Sequence, residues 1–85
     1  MEQKENMTRE EIITAAYEAR TQEVMHYQIN IDNYSIALEE IAKLPIDERA
    51  ELSEFADQLR TLLASEKLEQ RKAKLMLSVL KQQVE

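Results

Sequence analysis

The chain has 85 residues, a formal net charge of −6, a single proline and neither glycine nor cysteine. A chain this short folds as one small domain that buries too little surface to be generously stable alone. Without cysteine, neither a disulfide framework nor a thiolate metal site can help. The scarcity of turn formers favours long helices over a β-rich fold, while the acidic balance opposes general attraction to phosphate backbones and anionic membranes.

Residues 1–7 are polar and without periodicity, and are expected to fray ahead of a single helical-hairpin domain over residues 8–85. No apolar run is long enough to span a bilayer and no basic-then-apolar signal region opens the chain, which predicts a cytoplasmic protein. The sequons Asn6-Met7-Thr8 and Asn33-Tyr34-Ser35 are then chance matches.

The first helix starts on a composite signal: Thr8 can cap while Glu11 reaches back as a capping box, and Met7 can pack on Ile12 as a hydrophobic staple. From there Ile13, Tyr17, Arg20, Val24, Tyr27, Ile31, Tyr34, Leu38 and Ile41 follow at alternating steps of four and three. This is the heptad seam of a coiled coil, broken only by Arg20. Asn30-Ile31-Asp32-Asn33 is poor helix material, and Tyr27, Ile29 and Ile31 alternate like a strand. The heptad nevertheless passes through in phase and no second strand is available for pairing, so the helix is expected to continue.

Leu44-Pro45-Ile46-Asp47 reads as the turn, because proline lacks the amide proton a helix needs and holds the preceding residue extended. Asp47 and Glu48 favour the positive end of a new helix, which then runs without a breaker to Val84. The predicted fold is all-α: an antiparallel hairpin of two helices over 8–43 and 47–84, each about 36 residues or roughly 54 Å long, self-associating into a four-helix bundle.

The second seam reads Leu52, Phe55, Leu59, Leu62, Glu66, Glu69, Ala73, Met76 and Leu80, with Leu63 and Leu77 beside it. A turn centred on Pro45 pairs residues whose numbers total about 90, setting Leu38 by Leu52, Ile31 by Leu59 and Tyr17 by Ala73. The same register sets Arg20 and Val24 against Glu69 and Glu66, which makes Arg20, Glu66 and Glu69 a candidate structural polar layer that fixes alignment.

No motif for catalysis, cofactor or metal is present. His26 has no second His, Cys or acid at ligand spacing, and two long helices without glycine loops offer no concave site, so enzyme function is not expected. The three tyrosines suit core or boundary positions better than a base-stacking platform.

Charge divides by segment. Glu39, Glu40, Asp47, Glu48, Glu51, Glu54 and Asp57 against Lys43 and Arg49 make an acidic tip of net −5. Arg60, Lys67, Arg71, Lys72, Lys74 and Lys81 against Glu66 and Glu69 make a basic run of net +4, placed beside Glu10, Glu11, Glu18 and Glu23 of the first helix. Intramolecular complementarity is the simple interpretation.

Outside the seams, Met25, Ile29 and Ile36 on the first helix and Leu68, Leu75 and Val79 on the second form a candidate partner or self-association surface. Burying six such side chains is worth on the order of 10 kcal/mol gross. The expected function is a small acidic protein–protein interaction module, a regulator, adaptor or inhibitor that binds itself as a homodimer or larger and an unidentified protein. Two alternatives stand beside it. One is a DNA-mimicking, phage-encoded type of inhibitor that uses the acidic tip against a nuclease or other DNA-binding protein. The other is a ROP-like nucleic-acid-binding dimer using Lys67, Arg71, Lys72 and Lys74.

Overall fold

The computed structural model describes residues 7–84, the side chain of Val84 aside; the expectation for residues 1–6 lies outside them. Three helices and no strand occur among the described residues: α1 (Arg9–Ala42), α2 (Ile46–Glu51) and α3 (Ser53–Val84). The long pair, α1 and α3, runs as an antiparallel hairpin.

The capping box forms as expected. The Glu11 amide donates to Thr8 Oγ1 at 3.1 Å and the Thr8 amide donates to Glu11 Oε1 at 2.9 Å, so the first orphan donors of α1 are satisfied. Met7 and Ile12 both stay exposed beside it. α1 continues unbroken through Asn30–Asn33. Gln28 donates to Asp32 one turn on at 2.9 Å, and Asn30 donates to Glu66 across the hairpin at 2.7 Å, so two of the weak helix formers are held by their side chains.

The second helix departs from expectation. It breaks at Leu52, whose φ of −101° and ψ of 10° leave the helical region and whose amide is shared between the carbonyls of Glu48 and Arg49. The six-residue α2 thereby becomes part of the turn. The cross-hairpin hydrogen bonds consequently join residues whose numbers total 92 to 98, as in Arg9 with Gln83, Val24 with Gln70 and Asn30 with Glu66. The expected register, near 90, is therefore corrected by about five residues, slightly more than one helical turn.

The phase of the α3 seam is also corrected. The buried or half-buried residues follow Leu52, Ala56, Leu59, Leu63, Glu66, Gln70, Ala73, Leu77 and Leu80 in steps of four and three, with Glu69 half-buried beside them. Ala56, Leu63, Gln70 and Leu77 thus take the places expected for Phe55, Leu62, Glu69 and Met76. Small side chains at Ala56 and Ala73, 4% and 5% exposed, let the two backbones approach closely. The α1 seam matches its expected residues, from Ile13 to Ile41, with Tyr17 at its exposed margin.

Candidate interaction surfaces

The hairpin measures 63 × 30 × 14 Å, and its thinnest dimension is about one helix diameter. Both broad faces are consequently bare. In an antiparallel heptad pair, the residues just before the seam on each helix share one broad face, and the residues just after it share the other.

On α3 the first of these stripes is Phe55, Leu62, Glu69 and Met76, and its three apolar members are 49%, 45% and 44% exposed. Across from it on α1 stand Ala16, Glu23, Asn30 and Ala37, all half-buried. Arg9 donates to Gln83 at 2.6 Å at the end of this face. We call it the apolar face.

The opposite stripe on α3 is Arg60, Lys67, Lys74 and Lys81, all exposed. Its counterpart on α1 is Thr14, Thr21, Gln28 and Ser35, four uncharged side chains with hydroxyl or amide groups. Gln28, Ile31, Lys67, Gln70, Arg71 and Lys74 line one shallow concavity on this side. The cations therefore face hydroxyls and amides rather than the acids of α1. Among the described residues the four ion pairs, Arg20–Glu23, Lys43–Glu40, Arg60–Asp57 and Lys72–Glu69, each join residues three apart on one helix. The expected complementarity between α1 and α3 is not formed by such pairs.

The proposed polar layer also comes apart. Arg20 donates to Glu23 at 2.6 Å, Glu69 pairs with Lys72 at 3.1 Å and Glu66 accepts from Asn30. The five-residue register shift separates Arg20 from both expected acids. A different polar layer occupies the centre: Gln70, only 7% exposed, donates to the Val24 carbonyl at 3.1 Å and to Gln28 Oε1 at 2.9 Å. Gln70 escaped the sequence analysis because the seam was drawn one residue out of phase. The expected seam alternates in threes and fours just as regularly, so spacing alone does not tell the two phases apart.

Met25, Ile29, Ile36, Leu68, Leu75 and Val79 are all exposed, between 43% and 65%. Helical spacing sets Met25, Ile29 and Ile36 on the edge of α1 away from α3, and Leu68 and Leu75 on the far edge of α3; Val79 lies between that edge and the apolar face. All seven acids of the tip are exposed as well. His26 is exposed beside the Tyr27 ring, and among the described residues no group of three His, Cys, Asp or Glu is placed to hold a metal. No helix there is long and apolar enough to cross a membrane.

The class these features define is an all-α hairpin with unpartnered faces. Comparison with known protein families, with curated proteins and with solved structures finds no match to the chain.

Proposed function

We propose that this chain is a helical-hairpin interaction module, which acts by binding protein surfaces, a second copy of itself among them, rather than by catalysis. One observation carries it. Thirteen large apolar side chains are exposed among the described residues, whereas no large side chain is fully buried.

The edges formed by Met25, Ile29 and Ile36 and by Leu68 and Leu75 suit an apolar protein partner. Light scattering at micromolar concentration tests self-association: about twice the 10.0 kDa chain mass, or more, is expected, and a folded monomer would overturn it. Ile29→Glu and Leu75→Glu should abolish retention of a host protein that the parent chain captures, with helicity unchanged.

The stripe Arg60, Lys67, Lys74 and Lys81 favours a second reading, a nucleic-acid-binding dimer. Its affinity would fall steeply with salt, since each phosphate contact releases a counterion. A mobility shift with duplex and single-stranded probes separates the classes. A DNA-mimicking inhibitor using the exposed acidic tip would bind neither probe and would instead displace DNA from a nuclease.

A further inference from the structure

The two stripes of the basic side run in step along the hairpin. Thr21 with Lys74, Gln28 with Lys67 and Ser35 with Arg60 each total 95, inside the span of 92 to 98 set by the cross-hairpin hydrogen bonds. Each rung thus sets a cation on α3 opposite a hydroxyl or amide on α1, and successive rungs stand about 10.5 Å apart, seven residues at ~1.5 Å each. Neither stripe holds an acid. On α1, Glu18, Asp32 and Glu39 lie four residues beyond Thr14, Gln28 and Ser35, further round toward the outer edge, and Asp32 already accepts from Gln28.

The cations at the centre of this side lack partners. Among the described residues Lys67, Arg71 and Lys74 take part in no ion pair, whereas Arg60 is held by Asp57. Lys67 and Arg71 are four apart and Arg71 and Lys74 three apart, spacings at which like charges on a helix repel. All three line, with Gln28 and Gln70, a shallow concavity of about 370 Å³. A chain of net charge −6 therefore gathers three exposed cations without an acid paired to them, and an external anion supplies the charge they lack. The same side continues toward the turn, where Ala42 and Ser53 extend the two stripes by seven residues and line a second concavity with Arg49 and Arg60.

We propose that the groove between these stripes binds the phosphate backbone of single-stranded nucleic acid, with one strand lying lengthwise between α1 and α3. The geometry selects the state of the strand. From Arg60 to Lys81 the stripe is a straight line of about 31 Å, at ~1.5 Å per residue. A line laid along a rigid duplex crosses a phosphate strand only about twice in each turn of ~34 Å, whereas a flexible single strand follows the line throughout. Neither stripe carries an aromatic side chain for a base to stack on, so contact goes to phosphates and is blind to sequence. This assignment rests on the nucleic-acid reading of the basic stripe given above; it adds the strand state and the groove, and a single hairpin suffices for it.

Fluorescence anisotropy with an oligothymidylate of about 15 nucleotides and a duplex of the same length tests it. The single strand should bind roughly tenfold tighter than the duplex, and its affinity should fall about 20-fold between 50 and 200 mM salt, as three phosphate contacts imply. Lys67→Gln combined with Lys74→Gln should weaken binding and cut that salt dependence to about threefold. Lys43→Gln removes a cation at the turn end of α1, outside the groove, and should leave affinity and salt dependence as in the parent. All three lysines are exposed, so the helical circular dichroism signal should stay unchanged in every variant. A duplex bound as tightly as the single strand would overturn the strand state and leave the nucleic-acid reading standing. Single-strand binding indifferent to the Lys67 and Lys74 substitutions would overturn the groove. No binding of either probe at 50 mM salt would overturn the inference and the nucleic-acid reading together.

Discussion

Gln70 sits in the seam where leucine would fill the space, and its amide spans from the Val24 carbonyl to the side chain of Gln28. Because Gln28 is exposed and can turn to water, Gln70→Leu strands no buried polar group. The variant should be more stable by about 1–2 kcal/mol from added apolar burial, but less restricted in register. Denaturant unfolding measures the first effect, and a broadened distribution of masses in light scattering the second. Arg20, by contrast, is spent locally on Glu23, with both side chains more than a third exposed, so the pair contributes a few tenths of a kcal/mol at most. A double-mutant cycle between Arg20→Leu and Glu66→Leu should be additive within ~0.5 kcal/mol. Coupling well above that would restore the layer expected from the sequence. The Thr8 cap was legible because its partners are three residues apart; Thr8→Ala should cost about 1 kcal/mol in thermal unfolding.

At the scale of helices, what could be read depended on whether the cause is local. Continuity of α1 through Asn30–Asn33 followed from heptad phase, and Asn30 is repaid for its low propensity by the bond to Glu66. Asn33 is exposed, so Asn33→Ala should stabilise the fold by roughly 0.5 kcal/mol. An unchanged or lowered midpoint would argue against helix at that position. The break at Leu52 was not legible, because neither proline nor glycine marks it and the break serves the packing of the turn. Nor was the α3 phase: Phe55, Leu62 and Met76 are larger than Ala56 and Ala73, and burying the larger set inside the hairpin is the better choice only for a chain that works alone. Once a second surface can cover the large side chains, the small ones are free to take the seam and bring the helices close.

For the whole molecule, a hairpin one helix thick has too small an inner core to support its own ordering. Its buried apolar residues are Ile31, Ala56, Leu59 and Ala73, two of them alanines. The conformational entropy of fixing some seventy residues must be offset largely by surface that the single hairpin leaves in water. Under the proposed self-association, folding and association are one equilibrium, and mass action couples the melting temperature to protein concentration. A hundredfold rise in concentration adds about 2.7 kcal/mol per dimer, which for chains of this size moves the melting temperature by roughly 5–10 °C. Circular dichroism melts from 1 to 100 μM should show that rise. A parent chain whose melting temperature holds constant over the same range would be a hairpin that stands alone, and its exposed apolar residues would then have to be assigned wholly to another protein.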